Sequence, residues 1–154
     1  MQNVRNYSQQ NINKSDIVEV SKVLKSKYLT SGPKVVEFEK KIGKYVNSKF
    51  SVAVNSATSG LHIACLALGL KKKDIAWTSP ISFVASANCA LYCGANVDFV
   101  DIDKDTFNIS TFELEQKLKF AKKLKKLPKV LIVVHLAGAP CDMSKIKELS
   151  KKYK

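Results

Sequence analysis

Arginine is nearly missing from this chain: Arg5 is the sole one among 26 basic residues, so the net charge of +13 is carried by lysine. That argues against a nucleic-acid reader, because base edges and bidentate phosphate contacts favour the guanidinium fork and no basic stripe here is interleaved with aromatics. The cluster Lys119, Lys122, Lys123, Lys125 and Lys126 reads instead as a solvated helix end, where cations suit the dipole. No apolar run approaches the ~18 residues of a membrane span. The opening MQNVRNYSQQNINKSD lacks the apolar core of a signal peptide. The expectation is a cytoplasmic protein with neither a membrane nor a nucleic acid as partner. Paired metal-binding cysteines are lacking too. Cys65, Cys89, Cys93 and Cys141 form no CxxC, and His62 and His135 complete no zinc spacing, so all four thiols read as core or near-core groups and no metal is expected.

What is present is 45% hydrophobic content over 154 residues, enough for one domain with a core. A helix is expected from Ser15, capped by Ser15 or Asp16, with Ile17, Val20, Val23 and Leu24 as its buried stripe. Tyr28 to Pro33 then reads as a turn with a Gly-Pro breaker. A second helix carries Val35, Val36, Phe38, Ile42 and Tyr45 and ends near Asn47. Residues 1–13 read as irregular, with Tyr7 the one aromatic group.

After residue 50, strand and helix alternate four times. The expected strands are Phe50–Asn55, Ile75–Ser79, Val97–Ile102 and Val130–Val134, the last apolar throughout like a buried parallel strand. The intervening helices run over 58–70 and 84–92, then from Ser110 with Phe112, Leu114, Leu118 and Ala121 inward, then from Asp142 or Ser144 to Lys152. This is an α/β pattern: a mostly parallel sheet with helices on both faces, a three-layer α/β/α arrangement. Functional residues in such sheets collect where the strands end. Those ends are Asn55–Thr58, Ser79–Phe83, Asp101–Asp103 and His135–Gly138.

The stretch VAVNSATSGL, residues 52–61, organises the rest. A strand pattern breaks into small hydroxyl residues and then into helical spacing through Leu61, Ala64, Cys65 and Leu68. A helix start of this kind offers free N–H groups and a positive dipole end, which suit a phosphate. The same residues also suit an ordinary N-cap by Ser56 or Thr58, and the stretch alone leaves both readings open.

At these strand ends the chain resembles the DegT/DnrJ/EryC1/StrS sugar aminotransferases. The blocks NSATSGL, TSPISFVASAN, FVDID and VHLAGAPCDM stand in that family's order and spacing, preceded by LTSGPKVVEFEKK, and the likeness runs from about residue 7 onward. The resemblance implies the N-terminal portion of the large domain of a fold type I pyridoxal 5'-phosphate (PLP) enzyme. It divides the chain into an N-terminal helical segment over 1–48 and a partial large domain over 49–154. The implied reaction moves an amino group from glutamate to a nucleotide-linked keto sugar in a homodimer. The PISFVASAN and HLAGAPCDM blocks look closest to the branch that aminates a UDP-linked 4-keto-6-deoxy-N-acetylhexosamine in pseudaminic acid synthesis.

Carried over by position, Ala57, Thr58 and Ser59 would hold the cofactor phosphate. Phe83 would stack on the pyridine ring, with a core phenylalanine as the alternative, and Ser82 and Asn88 would neighbour cofactor or substrate. Thr30 and Gly32 match the family's segment near the active-site mouth, where a simple turn is the competing reading. His135, Asp101 and Asp103 read as structural. The Schiff-base lysine and the carboxylate that holds the pyridine nitrogen have no counterpart here, and both are expected beyond Lys154. A marginally stable, association-prone chain without transaminase activity of its own follows as an expectation. A non-catalytic module that binds a sugar nucleotide or pairs with a full-length homologue is the alternative.

Overall fold

The computed structural model describes residues 8–153, so the expectation for Tyr7 lies outside the described residues. The chain divides into two compact units, with the boundary between Ala53 and Val54.

The first unit is a helical pair, α1 (Lys14–Leu24) and α2 (Pro33–Tyr45). The cap of α1 is Asn13 rather than Ser15 or Asp16. Its side chain accepts from the Ser15 and Asp16 amides, and the Asp16 carboxylate returns the bond to the Asn13 N–H at 2.9 Å. The two reciprocal bonds satisfy donors that a cap at Ser15, two residues later, would leave free. Pro33 starts α2 at a position where a missing N–H costs nothing. The expected buried stripe of α1 is not buried: Ile17, Val20 and Leu24 are exposed, Val23 is half-buried, and α2 buries only Gly43. Two helices of 11 and 13 residues present more apolar stripe than they can cover between themselves.

The second unit holds α3 (Ala57–Ala67), β1 (Ile75–Thr78), α4 (Ala85–Tyr92), β2 (Asn96–Phe99), α5 (Thr111–Lys123), β3 (Val130–Leu131) and α6 (Met143–Lys152). The strands form one parallel sheet in the order β2-β1-β3, with Ile75 opposite Asn96 and Ala76 opposite Val130. Successive residues of β1 point to opposite faces. Ala76 joins Cys65, Leu70, Cys89, Ala90 and Ala95 in a core roofed by α3 and α4. Trp77 joins Val100, Ile109, Leu114, Leu118, Ala121, Ile146 and Leu149 in a core roofed by α5 and α6. The unit is therefore the expected α/β/α sandwich. The cysteines also fall as expected: Cys65, Cys89 and Cys141 are buried and Cys93 is half-buried, all as free thiols.

The strands differ from expectation in extent. Phe50–Asn55 is extended but pairs with no strand among the described residues, and Phe50 and Val52 are 77% and 73% exposed. β-Branched alternation favours an extended backbone, whereas a strand also needs a partner ladder. β2 stops at Phe99, and Ile102 pairs instead with Ile109 as an antiparallel bridge. β3 is two residues long, and Val130 to Val134 are all half-buried rather than buried on both faces. Phe112, expected inside α5, is exposed, because the buried stripe of that helix runs through Leu114, Leu118 and Ala121.

Candidate functional site

The helix start inside VAVNSATSGL is both a cap and an open donor site. Ser56 is the N-cap of α3, and its Oγ accepts from the Ser59 N–H at 3.2 Å. The Ser59 hydroxyl donates to Asn55 Oδ1 at 2.7 Å. The Ser59 amide, expected among the phosphate donors, is thus already used by the cap. Among the described residues the Ala57 and Thr58 amides have no acceptor, and the Gly60 N–H closes the first turn on the Ser56 carbonyl at 3.1 Å. Two free amides at the positive end of an 11-residue helix are what remains for an anion.

α3 leads through the turn Lys71–Asp74 into β1, so the two run in opposite directions and the N-terminus of α3 lies toward the end of β1. At that end of the sheet β1 passes into Ser79–Val84 and α4. Ser79 is buried, Ser82 is half-buried with its Oγ 2.8 Å from Ser86 Oγ, and Phe83 is 75% exposed. A core role for Phe83 is thereby eliminated. Asn88 is half-buried on α4, its backbone N–H bonded to Val84 O at 3.0 Å and its side chain without a bond among the described residues. Ala57, Thr58 and Ser59 thus stand in the first turn of α3 and Asn88 on α4, the two helices that roof one face of the sheet, with Ser82 and Phe83 in the loop that leads into α4.

Thr30 and Gly32 lie in the other unit. Thr30 is exposed in the turn between α1 and α2. Gly32 caps α2, and a Cβ there would stand 2.8 Å from Tyr28 Cβ, so this turn has room only for glycine.

The loops at the ends of β2 and β3 are held by polar bonds. Asp101 Oδ1 accepts from the Ile102 N–H at 2.8 Å. Asp103 Oδ1 accepts from the amides of Thr106 and Asp105 and from the Thr106 hydroxyl, and these bonds, the Thr106 amide first, hold its carboxyl below the usual carboxylate range. His135 Nδ1 accepts from the Cys141 N–H at 3.0 Å, which makes it a brace of the 135–141 loop. Sequence reasoning overlooked Asn108, which is buried. Its Nδ2 donates to Ala139 O at 3.1 Å and its Oδ1 accepts from the Leu136 N–H at 3.0 Å. In DKDTFNIS an asparagine reads as one more turn residue, and only the approach of the loop from about 30 positions later gives it a role.

Residues 10–154 match the DegT/DnrJ/EryC1/StrS aminotransferase family. The UDP-4-amino-4,6-dideoxy-N-acetyl-beta-L-altrosamine transaminase of Campylobacter jejuni is 44% identical over 149 residues, covering 96% of this chain and 38% of that one. Helicobacter pylori PseC, an aminotransferase involved in pseudoaminic acid biosynthesis, superposes with a TM-score of 0.82 at 31% identity over 96% of this chain and 38% of its own. A candidate sugar aminotransferase of Streptococcus pneumoniae, solved in a PLP form, superposes with a TM-score of 0.85 at 30% identity over 96% of this chain and 36% of its own. The chain thus spans under two-fifths of the length of these relatives. With the match extending over nearly every residue and the sandwich recurring in the solved relatives, this chain belongs to the DegT/DnrJ/EryC1/StrS aminotransferase family.

Proposed function

We propose that this chain supplies the phosphate-holding and ring-covering side of a PLP site in a sugar aminotransferase. The observation that carries the reading is the start of α3, where the Ala57 and Thr58 amides have no acceptor among the described residues. The residues fit the group. A phosphate would take those two N–H donors and the hydroxyl of Thr58, and the Ser59 hydroxyl would join them by turning from its bond to Asn55 Oδ1. The exposed ring of Phe83 offers a flat apolar face to a pyridine ring, and Ser82 and Asn88 offer polar atoms beside it. PLP, when bound, supplies the electron sink for amino transfer. The chain's own contribution is to anchor the phosphate and to shield one face of the ring from water.

The proposed whole reaction moves an amino group from glutamate to a UDP-linked 4-keto-6-deoxy-N-acetylhexosamine in a homodimer. The likeness to the Campylobacter transaminase and to PseC supports that substrate branch. Thr30 and Gly32 are proposed on the substrate side. None of the lysines in this chain stands in a context matching the family's reactive one, so none is assigned that role.

Equilibrium dialysis against PLP and against pyridoxal, which lacks the phosphate, tests the anchor. PLP should bind at least about tenfold more tightly, and Thr58→Ala with Ser59→Ala should narrow that preference without abolishing it, because the Ala57 and position-58 amides remain. Equal binding of the two ligands would sink the reading. Phe83→Ala should weaken both ligands alike, since it removes the ring contact and leaves the phosphate donors.

A further inference from the structure

The edge of the sheet where the parallel strands begin, opposite to the Phe83 edge, carries a pocket of about 380 Å³ lined by Lys73, Asp74, Asn96, Lys125, Lys126 and Lys129. The topology collects them: Asp74 leads into β1, Asn96 opens β2, Lys129 precedes β3, and Lys125 follows α5. Lys129 Nζ lies 3.0 Å from Asp74 Oδ2, which occupies the one carboxylate in the lining. Among the described residues the ammonium groups of Lys73, Lys125 and Lys126 have no partner.

The backbone makes the cluster harder to dismiss as surface charge. Lys73 and Lys125 both sit in the left-handed region, at φ of 77° and 54°. That conformation crowds a Cβ and suits glycine. The chain does use glycine there at the ends of α3 and α4. Gly69 and Gly94 have φ of 71° and 73°, and each is followed by a bond closing the last turn, Leu70 N–H to Cys65 O and Ala95 N–H to Ala90 O. At the end of α5 the same bond runs from the Lys126 N–H to Ala121 O, and the left-handed position is Lys125. Two of the six non-glycine residues at positive φ among the described residues border this one pocket, and both are lysines. The C-terminal dipoles of α3, α4 and α5, which all end toward this edge, oppose an anion with roughly half a negative charge each, together less than the surplus of four ammonium groups over one carboxylate.

We propose that this pocket binds a compact oligophosphate, an anion with two or more linked phosphates, through Lys73, Lys125 and Lys126 and the Asn96 side-chain amide. Lysine binds phosphate as a point charge and needs no bidentate geometry, so the shortage of arginine is no obstacle. The pocket has the size of a small-molecule site rather than of a track for a polymer. Ile75 and Leu127 alone give it apolar surface, too little to hold a base, so free and nucleoside-linked polyphosphates should bind alike. This site does not depend on the PLP reading.

The test is calorimetric titration of the full chain with inorganic tripolyphosphate and with ATP at low salt. K73Q/K125Q/K126Q should lose at least about tenfold in affinity, whereas K14Q/K27Q/K40Q, the same charge removed from the first unit, should change it less than about twofold. K73G/K125G should weaken binding while keeping or raising the thermal midpoint, because glycine relieves both strained turns. Equal losses in the two glutamine triples would reduce the effect to net charge and overturn the proposal. So would unchanged binding in K73G/K125G, or a marked preference for ATP over tripolyphosphate.

Discussion

The two units do opposite things with the apolar faces of their helices. In the first, α1 and α2 leave Ile17, Val20, Leu24, Val36 and Phe38 exposed. In the second, α3 to α6 find a sheet to pack on, and its faces gather two separate cores, one around Cys89 and one around Leu149. Amphipathic spacing therefore states which face wants burial and says nothing about whether a second layer exists to bury it. A helix pair has one contact line, whereas a central sheet offers two whole faces.

The largest effect that would test this contrast is a paired truncation. Leu149, at 0% exposure, should cost about 3 kcal/mol when changed to alanine, whereas Val20, at 60%, should stay within about 0.5 kcal/mol. Urea denaturation of both variants measures the difference, and similar costs would break the contrast between the units. Next in size is Asn108→Ala. It strips the bonding partners from the Leu136 N–H and the Ala139 carbonyl, for an expected cost of about 2 kcal/mol with faster amide exchange at Leu136. A cost near zero would mean that water replaces the asparagine and that the loop does not need it.

The smallest effect concerns the exposed helix pair. Hydrogen bonds from Lys41 and then Lys34 hold the Glu37 carboxyl down, from 4.5 to about 2. A depressed folded-state value means that these bonds stabilise above pH 4.5 and that the contribution fades as pH falls toward 2. Both ion pairs of Glu37 lie at the surface, its side chain 43% exposed, so solvent screening keeps the effect small. Backbone chemical shifts of α2 followed between pH 5 and 2 should show acid loosening that Glu37→Gln abolishes. Identical titrations of the two proteins would remove Glu37 from the account.

How much of the site was legible follows from where each residue obtains its role. The start of α3 could be read because a cap is local: Ser56, Ser59 and Asn55 lie within five positions, and the small hydroxyl residues carry the signal themselves. What the sequence left open was which donors the cap consumes. The structure assigns the Ser59 amide to Ser56 and leaves those of Ala57 and Thr58 free. Phe83 is similar. A phenylalanine at a strand-helix junction suits a core or an open face equally, and its exposure is decided by the packing of α4 on α3 and β1. Asn108 carried no local signal at all.

The sequence by itself determined the alternation of elements, a helix start capped within Ser56–Thr58, the cap at Ser110 and the family. All of these are written in residues a few positions apart or in blocks whose order survives without folding. Only the tertiary structure decided which extended segments become strands. Val52 and Val54 alternate as β-branched residues and those of Ile75–Thr78 do not, yet among the described residues Phe50–Asn55 stays unpaired while Ile75–Thr78 becomes the central strand. A ladder is made between chains of residues far apart, so no stretch contains the information that it will find a neighbour.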